Sequence, residues 1–311
     1  MHTKGHALYS WTFNQVSGIK IAHDTVIEYL YLKGFNIYPI YNNVVLPPSP
    51  PWLPLERPRL DLPLYTTWYF GRAPSYTIAY TDIPLVIWHG FVEGVPGIPK
   101  ELIELMKDKV VFVAPSMFVK EMLSKIGIHT NTIFNPGVMP FRLLPDITRT
   151  KILSEMKKGK KMLCYIADNQ PRKGIPLVIE AYRIVRKEGY RDTMLYILTS
   201  HRMNIPRDLP ENTVLDLSMF MVSDTYVASI YHACDVYVHG AMSEGLGLPI
   251  MEAQYVGLPV VIVDAPPMNE VCIDRWCYRA RWRRIEWYDA FGGEVKTIKH
   301  VYEPDDLAEA I

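Results

Sequence analysis

Short apolar runs rich in Val, Ile and Tyr alternate with helical patterns along the chain, and this rhythm predicts an α/β fold with parallel sheets. Length adds a second inference. The 311 residues exceed the roughly 100–200 of one ordinary domain, so two domains are expected. The third observation is a change of character after Asn135-Pro136-Gly137-Val138, where Pro140, Pro145 and the basic run Lys157-Lys158-Gly159-Lys160-Lys161 precede the next apolar strand. The expected organisation is an N-terminal domain over 1–140, a linker over 141–160 and a C-terminal domain over 161–311.

In order, Ala7 to Phe13 reads as a strand, Gly18 to Lys33 as a helix ended by Gly34, and Phe35 to Tyr41 as the next strand. Seven prolines between Pro47 and Pro63 exclude either regular element and predict an extended connection. Leu85 to Trp88 is a short buried strand ending at His89-Gly90. Val110 to Ala114 is another, and Ser116 after it suits a helix N-cap. The second half continues with strand Met162 to Ala167, helix Ile175 to Lys187, strand Met194 to Leu198, helix Asp224 to Ala233, and strands Val236 to His239 and Val260 to Val263.

Bulk properties narrow the function. Lys+Arg and Asp+Glu balance at 33 each, so charge gives no argument for a nucleic-acid partner. The first ten residues lack the apolar core of a signal peptide, and no run of about 18 apolar residues predicts a spanning helix. Cys164 and Cys234 lie in or beside strand-like runs, as buried free thiols do. Cys272 and Cys277 have no obvious partner, and a metal site on them is disfavoured. A reducing, cytoplasmic location is expected.

The most informative string is Ser243-Glu-Gly-Leu-Gly-Leu-Pro-Ile-Met-Glu-Ala-Gln-Tyr-Val-Gly-Leu-Pro-Val-Val261. Physically it is a loop, a helix and a strand. Pro249 suits a first helical turn, and Gly245 and Gly247 permit close backbone approach and positive φ. The first-turn amides beyond Leu246 and Leu248 favour an anion. Glu252, one turn in, can reach neutral hydroxyls beside that anion, so an anion together with a ribose points to a nucleotide or nucleotide sugar. The competing reading leaves Glu244 as a solvated loop residue and Glu252 as a partner of the helix N-terminus.

A second segment, Ala167-Asp-Asn-Gln-Pro-Arg-Lys-Gly174, ends a strand and opens a helix. Ligands of open α/β sheets gather at such strand ends. Arg172 and Lys173 offer a planar fork and a point charge to phosphate oxygens, and cations at a helix start are disfavoured unless an anion shares the site.

Together these strings resemble the E-x7-E motif and the phosphate loop of retaining glycosyltransferases of family 4, which have the GT-B fold: two Rossmann-like domains facing across a cleft. The phosphate loop, usually G-R-x-x-x-x-K-G, matches at Lys173 and Gly174, whereas Asp168 stands in the arginine position and Arg172 lies beside the lysine. Leu85-Val-Ile-Trp-His-Gly90 resembles the family's strand whose histidine faces the donor sugar, so His89 would orient that sugar; a structural histidine is the alternative. Of the family's Gly-Gly turn only Gly18 is present.

The resemblance implies transfer of a sugar from a nucleotide-diphosphate sugar to an acceptor hydroxyl, with retained configuration and neither metal nor further cofactor. Catalytic roles fall to His89, Arg172, Lys173 and Glu244. Donor contacts fall to Gly18, Arg172, Lys173, Gly245, Leu246, Gly247, Leu248 and Glu252. The acceptor, whether glycan, lipid or protein, is not specified. Arg275 to Tyr288 interleaves five arginines with three tryptophans and two tyrosines, suiting either peripheral membrane contact or a solvated helix whose tryptophans pack inward. Pro304 to Ile311 reads as the opening of a helix. Two rivals remain: a non-catalytic nucleotide-sugar-binding subunit, motivated by Asp168, and a nicotinamide oxidoreductase, disfavoured by the missing G-x-G-x-x-G.

Overall fold

The computed structural model describes residues 7–11, 18–40, 62–80 and 83–311. The chain divides into two compact units: Met1–Gly137 with Trp287–Ile298, and Val138–Glu286 with Lys299–Ile311. Residues 141–160, expected to link the halves, fall in the second unit.

The first unit holds β1 (Ala7–Trp11), α1 (Gly18–Leu32), β2 (Asn36–Ile40), β3 (Leu64–Tyr69), α2 (Arg72–Ala79), β4 (Val86–Phe91), β5 (Gly94–Pro96), α3 (Lys100–Met106), β6 (Val110–Val113) and α4 (Met117–Ser124). Its main sheet runs β2-β1-β3-β4-β6, and every pair in it is parallel. This is a doubly wound order that reverses between β1 and β3. Trp88 of β4 is fully buried, its ring 5.0 Å from Phe70 and 5.7 Å from Phe112. Gly90 is required beside it, since a Cβ there would lie 2.6 Å from the Phe70 ring. Ser116 caps α4 as expected, accepting a hydrogen bond from the Val119 amide at 3.2 Å. Most of the proline-rich connection, and the turn between β1 and α1, lie outside the described residues.

The second unit continues with α5 (Ile147–Met156), β7 (Lys161–Ile166), α6 (Ile175–Lys187), β8 (Thr193–Leu198), β9 (Thr213–Asp216), α7 (Asp224–Ala233), β10 (Val236–His239), α8 (Leu248–Tyr255), β11 (Val260–Val263), α9 (Met268–Val271), β12 (Cys277–Ala280), β13 (Arg284–Ala290), β14 (Val295–Val301) and α10 (Pro304–Ala310). Parts of β13 and β14 belong to the first unit, where β14 pairs antiparallel with β5 from Thr297↔Gly94 to Val295↔Pro96. The parallel sheet runs β12-β11-β10-β7-β8-β9. Its order reverses between β7 and β10, the Rossmann arrangement.

Strands β7, β8 and β11 are almost continuously buried, which explains their unbroken apolar runs. Helix α6 covers the sheet with Ile175, Val178, Ile179, Tyr182 and Val185, spaced to form one stripe. Burial of each such aliphatic side chain contributes about 1.5–3 kcal/mol. Inside the segment expected to be a linker, α5 buries Leu153 completely and is capped by Asp146, which accepts from the Arg149 amide. Prolines and lysines hid that anchor.

Two expectations are corrected. Cys272 is not free but pairs with Cys277, their Cα atoms 5.8 Å apart, and Cys164 lies against Cys234 in the core. Cys164 on β7 and Cys234 after α7 meet only in the fold. The segment from Arg275 is not a helix with inward tryptophans. It forms a 3-10 turn, β12 and the start of β13, with Trp276, Trp282 and Trp287 partly exposed. Arg281 and Arg283 are drawn to Asp306 of α10. No described helix is long and apolar enough to cross a membrane.

Candidate active site

The chain leaves β7 and β10 on either side of the point where the second sheet reverses, and the sequence-predicted donor residues sit in the two loops that follow. After β7, Pro171–Lys173 forms a 3-10 turn. It is closed by Gly174 in the left-handed region (φ 63°), where a Cβ would stand 2.5 Å from the Gly240 carbonyl. Only glycine lets the two loops approach this closely. Tyr302 locks the second loop by donating to that same carbonyl at 2.8 Å. The Met242 amide donates to the Arg172 carbonyl at 2.8 Å, tying one loop to the other.

Glu244 is at the centre. It is 7% exposed, which removes the reading of a solvated loop residue. Lys173 Nζ donates to its Oε1. Arg172 Nη1 lies 3.5 Å from Oε2, and His239 Nε2 lies 3.1 Å from Oε1. Burial alone would push this carboxyl up; Lys173, His239 and Arg172 together hold it well below the usual range. Burial also lowers His239, with Glu244 pulling the other way.

Arg172 is aimed as well as charged. Its Nε donates to Gln170 Oε1 at 3.1 Å and its Nη1 to the Ser243 carbonyl at 2.9 Å. Gln170 is in turn oriented by donating to Asp168 Oδ2 at 2.9 Å. Asp168 also accepts from the Ser200 hydroxyl; burial raises its carboxyl, but Ser200, Gln170 and the Asn169 amide outweigh it and keep it ionised. The residue that departs from the family pattern thus steers the guanidinium that stands four positions later.

Helix α8 starts at Gly247 in the left-handed region (φ 94°), with Pro249 in its first turn. Gly245 is not left-handed; like Leu246, Gly247 and Leu248 it is buried. Glu252, one turn along, accepts from the Tyr231 hydroxyl at 2.9 Å. Burial pushes its carboxyl up to about 7, opposed by Tyr231 and more weakly by Arg142. It is poised between an acceptor-only carboxylate and a neutral acid.

In the first unit His89 is fully buried on β4, opposite Thr67 of β3. Its Nδ1 is 2.8 Å from the Tyr65 hydroxyl. Burial lowers it to about 4, so the ring is neutral at pH 7. Gly18 opens α1, and the turn before it lies outside the described residues. Sequence reasoning missed His239, Gln170 and Tyr231. His239 carried a signal, since it ends a strand as His89 nearly does; Gln170 and Tyr231 carried none. Among the described residues no group of three or more His, Cys, Asp or Glu side chains converges as a metal site.

Residues 147–276 match the sequence profile of the family described as Glycosyl transferases group 1. The chain is 23% identical over 270 residues to the uncharacterized glycosyltransferase 335 of Sulfolobus islandicus rod-shaped virus 1, spanning 84% of this chain and 76% of that protein. It is 28% identical over 179 residues to the serotype-specific mannosyltransferase WbdA of Escherichia coli, spanning 56% of this chain but only 19% of WbdA. Among solved structures, Anabaena Alr3699/HepE in complex with UDP superposes with a TM-score of 0.60 at 13% identity, over 98% of this chain and 88% of that one. The fold is GT-B, and by its domain match and its relatives the chain is a glycosyltransferase.

Proposed function

We propose that the chain is a retaining, family 4 type enzyme that moves a sugar from a nucleotide-diphosphate sugar to an acceptor hydroxyl without a divalent metal. The observation that carries this reading is the convergence of Arg172, Lys173 and Glu244 where the second sheet reverses, beside the start of α8. Arg172 and Lys173, with the amides from Gly245 to Leu248, take the diphosphate. Charge grows on that group as it leaves, so donors already aimed at it favour the transition state over the bound donor. Glu244 holds hydroxyls of the transferred sugar, and Glu252 those of the ribose. For His89 and Gly18, which belong to the first unit, a donor role rests on the resemblance alone.

The sugar's C1–O bond to the diphosphate breaks as the acceptor oxygen bonds C1 on the same face. The acceptor proton passes to the departing phosphate oxygen, which needs no protein nucleophile. The mannosyltransferase relatives make GDP-mannose the first donor to try, and the UDP complex of the Anabaena structure makes UDP-glucose the second. The exposed Trp276, Tyr278 and Trp282 with Arg275 suit peripheral contact with a membrane bearing the acceptor, from the cytoplasmic side.

The test is calorimetric titration of UDP, GDP and ADP in EDTA against wild type, Lys173→Ala and Glu252→Ala, followed by nucleotide release from the matching sugar donor. Tight binding of one nucleotide, weakened by both substitutions and accompanied by turnover, is expected. Binding without turnover under any acceptor condition would leave the non-catalytic subunit; no binding at all would overturn the proposal.

A further inference from the structure

His239 closes β10 beneath the charged cluster, in a place that the donor contacts leave unassigned. Its ring is buried, edge-on to Tyr165 of β7 with centroids 5.9 Å apart and tilted against Tyr237 of its own strand at 6.0 Å. The charged groups that face it are Glu244 from the loop after β10 and Lys173 and Arg172 from the turn after β7. All of these residues belong to the second unit.

Both ring nitrogens face acceptors. Nε2 lies 3.1 Å from Glu244 Oε1, the same oxygen that Lys173 holds. Nδ1 lies 3.5 Å from the Tyr237 hydroxyl, whose single proton goes to the Ile166 carbonyl at 3.3 Å, so the phenol oxygen is left to accept. A neutral imidazole has one N–H for these two acceptors, whereas an imidazolium has one for each. The surroundings thus suit a ring with one more proton. Burial above all withholds it, and the positive charge of Lys173 and Arg172 adds to that against the pull of Glu244.

Lys173 is the movable member of the group. Its backbone is pinned, the carbonyl accepting from the Tyr165 hydroxyl at 2.5 Å and the amide donating to the Gln170 carbonyl at 2.8 Å. Its flexible stem lets the ammonium leave Oε1 for a phosphate oxygen while the loop stays in place. Glu244 then loses its nearest cation, and negative charge arrives beside the ring. Both changes favour the imidazolium.

We propose that His239 is a positioning residue that takes up a proton when a nucleotide diphosphate draws Lys173 away, so that Glu244 keeps a cationic partner and its place. The trigger rests on the function proposed above; the coupling of Lys173 to His239 rests on the second unit alone. The proton comes from solvent and adds to Nδ1, the Nε2 proton stays toward Glu244, and no other bond changes. Tyr165 and Tyr237 do not compete for the charge, because burial holds both hydroxyls well above the ordinary phenol range.

The first measurement is long-range 1H–15N correlation of the ligand-free full chain labelled with 15N-histidine, the His239 signals being assigned by their loss in His239→Gln. Wild type is expected to show a pyridine-type Nδ1 and a protonated Nε2 at pH 7. Lys173→Met, which withdraws the ammonium permanently, should protonate both nitrogens at a higher pH than wild type does. The second measurement is calorimetric titration of GDP and UDP in EDTA at pH 7.5, in PIPES and in Tris, whose different ionisation enthalpies count the protons exchanged. Wild type should take up more protons than His239→Gln, by at most about one per site, and its affinity relative to that variant should rise toward acid by up to about tenfold per pH unit. Glu252 and the nucleotide phosphates titrate in both proteins, so the difference isolates His239. His239→Asn serves both purposes if His239→Gln folds poorly. An unchanged His239 titration in Lys173→Met, or equal proton uptake by wild type and His239→Gln on binding, would each overturn the proposal. Failure of every nucleotide to bind would sink the function proposed above, while the ligand-free titration still decides the coupling.

Discussion

Replacing Lys173 by methionine keeps the stem and removes the charge that most directly opposes Glu244. Both side chains are largely enclosed, 14% and 9% exposed, so solvent screens the pair weakly. Breaking a buried ion pair from one side costs about 3–5 kcal/mol when nothing else compensates the remaining charge. Here Arg172 at 3.5 Å and His239 at 3.1 Å remain, and we expect a loss of about 2–3 kcal/mol. Glu244→Gln in the Lys173→Met background should recover part of it, giving a double-mutant coupling of about 1.5–3 kcal/mol by urea denaturation at pH 7. The pH dependence fixes the sign. Wild-type Glu244 has its carboxyl well below the ordinary value of 4.5, so its stabilisation is complete above 4.5 and fades as pH falls through the depressed value. Without Lys173 burial dominates, the carboxyl rises, and less remains to be lost on acidification. The stability gap between wild type and Lys173→Met should therefore narrow below about pH 4.5. Additivity of the two substitutions within about 0.5 kcal/mol, or a gap that widens in acid, would refute this account of the cluster.

Other outcomes follow from the same geometry. Because Glu252 titrates at about 7, nucleotide affinity should increase through that pH as the carboxylate forms to accept ribose hydroxyls, and Glu252→Gln should flatten the profile in calorimetry. Its raised value means the folded chain holds a proton that the unfolded chain releases, so this group's contribution to stability should fall as pH rises from 4.5 to about 7. Gln170→Leu removes no charge but takes away the acceptor at Arg172 Nε; nucleotide affinity should drop by about 2- to 12-fold with little change in salt dependence. Gly174→Ala combines a positive φ with a Cβ 2.5 Å from a carbonyl oxygen, and a destabilisation of at least about 1–3 kcal/mol is expected in the urea midpoint.

The legible parts of this molecule were those where a local string has a single physical use. The loop-helix-strand around Glu244 and Glu252 was readable because glycine, proline and two carboxylates must fall in one order to open a helix on an anion. Helices α6 and α7 and strands β10 and β11 were found with their observed ends, since their periodicity coincides with burial. Strand β3 was missed because it follows the prolines directly and its Thr66, Thr67 and Trp68 read as polar or amphipathic. His239 and Gln170 act through partners 5 and 2 residues away that the chain must turn back to meet. The return of residues 287–298 to the first unit depends on a sequence separation that no local pattern reports.

That return has a consequence for how the chain is made. Strand β5 emerges from the ribosome early, but the strand that covers its edge, β14, follows roughly 200 residues later. At ordinary elongation rates of about 5–20 residues per second, the wait lasts about 10–40 s. Throughout it, a bare strand edge stands open while the whole second sheet is being synthesised. Its brevity, three residues with a glycine and a proline, is what protects it, since so short an edge offers another nascent chain little to pair with. The first unit is thus begun first and completed nearly last, and a ribosome stalled between the two strands would hold a first unit still missing part of its own sheet.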